Sequence, residues 1–360
     1  MKTVLVTGGA GFIGSNFVRY LLSQAGSFRV VVLDKLTYAG SRLNLRDILG
    51  DRRIRFVRGD IADSRSLRRL FAKCRPDYVY NFAAESHVDR SIEGPRNFVH
   101  TNILGTFELL EAARSYLKSA GKTRRRFRLL HVSTDEVYGS LGKKGTFSEE
   151  APYAPNSPYA ASKAGADHLA RVYHRTYGLP ILLTNCSNNY GPHQFPEKLI
   201  PLTILNALEG RSLPLYGDGG NVRDWLYVED HCEALWKVMK QGRAGEKYNI
   251  GGGNERTNSQ VVDLICRLLE RTLPAAENKV LAGRGISSYS ALKVFVRDRP
   301  GHDRRYAIDS GKIRREVGWK PRHDFNAGVQ KTIRWYMENL DWSEKVQKGK
   351  YRRERLGLAT

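Results

Sequence analysis

Short runs of apolar residues, each followed by a longer amphipathic stretch, recur through the first half of the chain. The runs fall at 3–7, 29–34, 55–57, 77–81, 128–133 and 181–184 and are rich in Val, Leu and Ile. Strands with apolar side chains at successive positions are buried on both faces, as in a parallel sheet covered by helices. Helix-length segments lie between them, at about 12–25, 64–73, 94–119 and 157–177. This alternation predicts an α/β fold built on a doubly wound parallel sheet with right-handed crossovers.

After about residue 185 the texture changes. Residues 188–192 are turn chemistry, and glycines at 217–220 and 251–253 punctuate a more irregular half. Helical patterns recur near 197–208, 229–241, 258–272, 310–317 and 326–340. No internal repeat or low-complexity linker separates the halves. The expected organisation is a first domain over 1–185, a smaller C-terminal substrate-binding lobe over 186–340, and a basic C-terminal tail over 341–360. Residues 224–228 and the helix after them, to 241, are apolar enough to return to the main sheet.

Composition adds limits. A chain of 360 residues with 41% hydrophobic and 27% charged positions needs no disulfide or metal staple to fold. Cys74, Cys186, Cys232 and Cys266 form no CxxC pair, so neither zinc nor dithiol chemistry is supported and free thiols are expected. No stretch approaches a membrane span, and the chain reads as cytoplasmic. The charge is unusual: 59 Lys and Arg against 37 Asp and Glu leave +22. Basic clusters at 122–128 and 350–355 invite a nucleic-acid reading. No nucleic-acid-binding motif accompanies them, so the reading adopted is an Arg-rich surface that draws in anionic substrates.

Gly9, Gly11 and Gly14 form G-x-G-x-x-G directly after the first strand, at the start of a helix. In that setting Gly9 permits the tight turn, Gly11 lets a pyrophosphate approach, and Gly14 brings helix and strand together. The helix N-terminus offers its N–H groups to the phosphates. Asp34 ends the second strand, where a carboxylate binds the ribose 2′-hydroxyl and repels a 2′-phosphate. This favours NAD over NADP, although Lys35 follows at once. Asp60 suits either an adenine contact or a helix cap. Phe82, Ala83, Ala84 and Ser86, after the fourth strand, leave room for a cofactor. The fold is thus Rossmann-like.

Tyr159 and Lys163 lie four apart in a helical segment and share one face. A lysine there is expected to lower the phenol pKa, so that Tyr159 can take a hydroxyl proton while a hydride leaves the same carbon. Asp135 and Glu136 are adjacent carboxylates at the carboxyl end of a buried strand. Pointing to opposite sides, they can act as acid and base on two atoms if their surroundings push their pKa values apart.

Together these motifs resemble the extended short-chain dehydrogenase/reductase family, and within it the nucleotide-sugar dehydratases. The likeness spans about residues 2–340. It is carried further by residues 34–40, 83–90, 134–139, 184–192, 195–201, 223–230 and 299–303. The Thr134-Asp135-Glu136 triplet is its most specific part, because the sugar epimerases lack the acidic pair. The resemblance implies dehydration of dTDP-glucose to dTDP-4-keto-6-deoxyglucose on bound NAD. In that scheme Tyr159 takes the C4 hydroxyl proton, Glu136 the C5 proton, and Asp135 protonates the departing C6 hydroxyl. Thr134 bonds the sugar near O4. Gly8, Phe12, Ile13, Leu36, Thr37, Ile61, Thr101 and Asn189 complete the implied cofactor contacts. Ser86, Asn188, Glu197, Lys198, Leu199, Pro214, Tyr216, Arg223, Asn258, Arg299 and His302 are the implied nucleotide-sugar contacts. A homodimer through the helices at 94–119 and 157–177 is implied as well. Three features depart from the family: His193 in place of a usual Tyr, a short 140–147 segment, and a poorly matching insertion at 283–292.

Overall fold

The computed structural model describes residues 1–26, 28–120, 126–354 and 356. The first half runs β1 (Lys2–Thr7), α1 (Phe12–Ser23), β2 (Phe28–Asp34), β3 (Ile54–Arg58), α2 (Ser64–Cys74) and β4 (Tyr78–Asn81). It continues with α3 (Val88–Glu93), α4 (Pro95–Phe98), α5 (Gly105–Ala120), β5 (Arg128–Thr134), α6 (Pro158–Tyr177) and β6 (Ile181–Cys186). The second half holds β7 (Asn188–Tyr190), α7 (Leu199–Leu208), β8 (Leu213–Tyr216), β9 (Val222–Tyr227), α8 (Val228–Gln241) and β10 (Lys247–Ile250). It ends with β11 (Glu255–Thr257), α9 (Asn258–Thr272), α10 (Lys279–Gly283), β12 (Lys293–Val296), α11 (Gly311–Val317), α12 (Phe325–Glu338) and α13 (Leu340–Gln347).

Seven parallel strands form the main sheet in the order β10-β6-β5-β4-β1-β2-β3. Its two faces explain the uniformly apolar runs. Val4, Val6, Val30 and Val32 face one core with α1 and α8; Leu5, Val31, Leu33 and Val79 face the other with α2, α5 and α6. Strand order reverses between β1 and β4. Ligands of such sheets bind in the crevice this opens beyond the strand carboxyl ends. A third core, including Leu213, Leu215, Ile265, Tyr289 and Tyr336, lies in the second half.

The structure departs from the sequence expectations at several points. The strand at 222–227 does not return to the main sheet: β9 pairs with β7 and β11 in a separate three-stranded sheet. Its helix α8 does pack beneath the main sheet beside α1, and β10 supplies the edge strand. The expected helix at 94–119 is broken. Pro95 starts a short α4, and a π-helical turn over Val99–Leu104 precedes α5. That turn aims Thr101 and Asn102 at the crevice. Thr101 Oγ1 accepts from Lys35 Nζ (3.0 Å), and Asn102 bonds the backbone of Glu85 through both N–H (2.9 Å) and C=O (3.0 Å).

The segment at 283–292 is packed rather than looped out. Tyr289 is fully buried and donates to Leu273 O (2.9 Å), and the chain then enters β12, which pairs with β8. His193 stacks edge-on against Trp335 and Trp342 at 4.6 and 5.6 Å. The segment after 340 docks: Trp342 Nε1 donates to Asn44 Oδ1 (3.0 Å), and Tyr351 is buried against Phe195. Of the basic clusters, residues 122–125 and Arg355 lie outside the described residues. Arg128 donates to the carbonyls of Met239 and Gly242.

Candidate functional site

Beyond the carboxyl ends of β1, β2, β4, β5 and β6 lies one cavity, and its floor is the glycine turn. The tight turn belongs to Gly8, not Gly9. Gly8 has φ +67°, and a Cβ there would sit 2.6 Å from Ala83 N. A Cβ on Gly9 would instead meet Val32 Cγ1 at 2.7 Å, and one on Gly14 would meet Gly8 O at 2.3 Å. Gly11 is the open member, meeting only Gly8 O at 3.2 Å, and no side chain caps α1. A bare cradle feeding an uncapped helix start is the donor set a dinucleotide pyrophosphate requires.

Asp34 Oδ1 accepts from Leu36 N (2.8 Å) and Oδ2 from Ala10 N (2.9 Å), which joins the end of β2 to the glycine turn. Burial raises its pKa, and the two N–H donors and Lys35 oppose the rise. Each oxygen keeps a lone pair for a ribose hydroxyl. Lys35 is drawn aside to Asp60, 3.4 Å away, and to Thr101. Asp60 therefore stands in the cavity wall, while Asp63 is the residue that caps α2.

Of the residues implied for the cofactor, Leu36 alone does not line the cavity. Ser86, Thr134, Asn188, Glu197 and Lys198, implied for the sugar nucleotide, line it too. Leu199, Pro214, Tyr216, Arg223, Asn258, Arg299 and His302 do not. Tyr216, Arg299 and His302 are tied to neighbouring carboxylates. Tyr216 OH donates to Asp89 Oδ2 (3.0 Å), Arg299 pairs with Asp89, and His302 pairs with Asp298 (2.6 Å). Burial lowers the His302 pKa to about 4. Leu199 opens α7, Asn258 opens α9, and Pro214 lies on β8.

Arg223 is buried and donates to Val222 O (2.8 Å) and Asp303 O (2.9 Å). It does not pair with its neighbour Asp224, which accepts from Gly252 N and Asn254 N. The guanidinium thus keeps an unneutralised charge near Asp135 and Glu136. Glu85, Gln194 and Phe195 also line the cavity and were not singled out from the sequence. Glu85 lies inside the Ala83–Ser86 run already picked out, so position alone could have found it.

Thr134, Asp135, Glu136, Tyr159 and Lys163 meet on the cavity wall. Thr134 ends β5, and its hydroxyl accepts from Glu136 N (3.3 Å), turning the chain into a single 3₁₀ turn. Asp135 is 1% exposed, and its Oδ2 has no hydrogen-bond partner. Burial first, and Glu136 second, push its pKa well up. Glu136 is also raised by enclosure, but Arg299, Lys198 and Arg223 oppose the rise. The two carboxyls therefore differ in the direction their roles require.

The expectation for Tyr159 needs correcting. Its pKa is pushed up, by burial first and Glu136 next. Lys163 does not touch the phenol; its ammonium donates to Val132 O at 2.7 Å. Any help from Lys163 comes through space, from one helical turn away.

Known proteins place this geometry. The GDP-mannose 4,6 dehydratase family profile matches residues 5–332. The dTDP-glucose 4,6-dehydratase of Xanthomonas campestris pv. campestris is 56% identical over 358 residues, 99% of each chain. The structure of a Streptomyces venezuelae dTDP-glucose 4,6-dehydratase with NAD bound is 48% identical. It covers 96% of this chain and 99% of that one with a TM-score of 0.85. The Bacillus anthracis enzyme in complex with NAD is 46% identical, covering 96% and 100%, with a TM-score of 0.83. The chain belongs to the dTDP-glucose 4,6-dehydratase family of extended short-chain dehydrogenases/reductases.

Proposed function

We propose that this protein is a hydro-lyase that converts dTDP-glucose to dTDP-4-keto-6-deoxyglucose. The observation that carries the reading is the paired Asp135 and Glu136 beside Tyr159, above a glycine cradle at the sheet's switch point. Gly8, Gly11, Gly14 and the start of α1 hold the NAD pyrophosphate, and Asp34 the ribose. NAD, when bound, supplies the hydride acceptor for C4 and the hydride for C6. Tyr159 receives the C4 hydroxyl proton while Thr134 orients the sugar. With a ketone at C4, the C5 hydrogen is acidic. Glu136 takes that proton, its electron pair forms the C5=C6 bond, and the C6–O bond breaks. Asp135, kept protonated by burial, delivers its proton to the departing oxygen, which leaves as water. Glu136 later returns its proton to C5.

Lys198 and Arg223 carry the charge for the diphosphate, with Arg299 behind them. Residues 1–185 with α8 and β10 form the cofactor domain and the remainder the sugar-nucleotide lobe. The four unpaired thiols suit a cytoplasmic enzyme. A homodimer through α5 and α6 is supported by their exposed Phe107, Val172 and Tyr177, with Leu104 of the π turn beside them.

Incubation of the purified protein with dTDP-, UDP-, CDP- and GDP-glucose, without and then with added NAD, followed by mass spectrometry, tests the reading. Loss of one water from dTDP-glucose alone is expected. No mass loss from any sugar under either condition would sink it.

A further inference from the structure

Asp167 is a buried carboxylate that the mechanism above leaves unused. It follows Lys163 by one turn of α6 and is 2% exposed. Its Oδ2 accepts from Ser133 Oγ (2.8 Å), Tyr153 OH (2.9 Å) and Asn185 Nδ2 (3.3 Å). Three donors thus converge on one carboxyl oxygen.

Its other oxygen makes no hydrogen bond and stands 3.4 Å from His131 Nε2. His131 is a poor countercharge. Its Nδ1 accepts from Asn81 Nδ2 (3.1 Å), since Asn81 Oδ1 already accepts from Thr7, and burial lowers its pKa. Among the described residues, no Lys or Arg makes an ion pair with Asp167. Lys163, 4% exposed, likewise reaches no carboxylate and bonds only Val132 O. Both charges thus lie against one stretch of β5, whose residues 131 and 133 face α6 with residue 132 between them.

We propose that Asp167 is a positioning residue of the reaction: it is the buried counter-charge that keeps Lys163 an ammonium, one helical turn from Tyr159. The proposal rests on the roles given above to Tyr159 and Lys163. Burial drives Lys163 toward the neutral amine, and Asp167 is the main charge that opposes this, with Cys186 behind it. Tyr138 and Tyr153 also face Asp167, as does Lys247 of β10. Of the groups Tyr159 faces, Glu136, Cys186 and Asp135 disfavour a phenolate, and the hydrogen bond with Thr134 favours it. Without Asp167 the ammonium one helical turn from Tyr159 is lost, and Tyr159 accepts a proton only at higher pH.

The test is the pH profile of kcat/KM for Asp167→Asn, measured on protein with its NAD content determined. The acid limb should move up by about one unit, a loss of about tenfold on that limb, with NAD content unchanged. Hydrogen exchange at C5 of the product ketone, which uses Glu136, should keep its pH profile. Asp167→Glu should fall nearer wild type. Tyr153→Phe, which removes one donor but leaves the charge, should not move the limb. If Asp167→Asn fails to fold, the smaller Asp167→Ser gives the same readout. A wild-type acid limb in the folded variant overturns the counter-charge. Tyr159→Phe separates the two ideas: if it stays active, the underlying role of Tyr159 is wrong. If it is inactive while Asp167→Asn keeps the wild-type limb, only the counter-charge is wrong.

Discussion

Asp135 and Glu136 are joined by one peptide bond, yet their surroundings differ. Asp135 has a carboxyl oxygen with no partner and no adjacent cation strong enough to offset its burial. Glu136 faces three cations from distant segments. The difference has two measurable consequences. Glu136→Gln should slow C5 hydrogen exchange by about 10²- to 10⁴-fold, while the purified variant keeps its NAD. In the wild type that exchange should rise with pH through a midpoint above ~4.3, the ordinary glutamate value, because the raised pKa delays formation of the carboxylate. An exchange rate equal to wild type in the Gln variant would remove Glu136 as the base. The second consequence concerns stability. Asp135 has its pKa raised in the folded state, so the native protein holds a proton the unfolded chain releases. The associated stability is fully present below the unfolded value of ~3.9 and declines as pH rises toward the folded one. Asp135→Asn should therefore be more resistant to urea than wild type at neutral pH, and the gain should vanish near pH 3. A variant less stable at pH 7 would show that the hydrogen bond from Thr134 Oγ1 to Asp135 Oδ1 (3.3 Å) outweighs the cost of burial. Neither direction could be read from the sequence, which places two carboxylates together but not the Arg299 that lies 163 positions beyond Glu136.

The elements of the first half were legible because a parallel sheet covered on both faces leaves nearly every strand residue apolar. The predicted strands reappear within one or two residues of their ends. The second half is built differently. β7, β8, β10, β11 and β12 are three or four residues long, and several carry Asn, Glu, Arg or Lys, so no period shows. The broken helix before α5 was hidden for another reason. Val99–Leu104 is an ordinary helical sequence, and the π turn comes with the contacts of Thr101 to Lys35 and of Asn102 to Glu85. The 283–292 segment shows how packing can order a stretch that pattern does not reveal. Tyr289 fills the lobe core, donates its N–H to Glu270 Oε1 (2.8 Å), and fixes the start of β12. β12 in turn holds β8, which bears Pro214 and Tyr216. Tyr289→Ala should cost about 3–5 kcal/mol of unfolding free energy, the range for removing a buried aromatic ring. It should also raise KM for the sugar nucleotide more than it lowers kcat. Tyr289→Phe, which loses only a hydroxyl bonded to Leu273 O, should cost about 1 kcal/mol. Equal effects of the two substitutions would mean that the ring does not support the lobe.

At the scale of the whole molecule, the question is what covers the apolar face left beside the active site. Among the described residues, Val99, Leu104, Phe107, Val172 and Tyr177 are half of the large hydrophobic residues that stand exposed, and all belong to the π turn, α5 or α6. Scattered exposed hydrophobics need no explanation, but a set concentrated on two adjacent helices suits the interface proposed above. Phe107 and Tyr173 meet edge to face at 6.4 Å, and Tyr173 meets Tyr177 at 5.0 Å, so the patch is already ordered within one chain. α6 and the π turn also carry candidate site residues. α6 bears Tyr159, Lys163 and Asp167, and the π turn bears Thr101. A second copy seated on α5 and α6 would stiffen the wall that holds these side chains. Light scattering at micromolar protein should give twice the 40.7 kDa chain mass. Phe107→Glu combined with Val172→Glu should shift the mass to one chain, because burying two unpaired carboxylates in such an interface costs several kcal/mol. The monomer should lose turnover before it loses its far-ultraviolet circular dichroism. A wild-type mass of 40.7 kDa at those concentrations would leave the face for another partner.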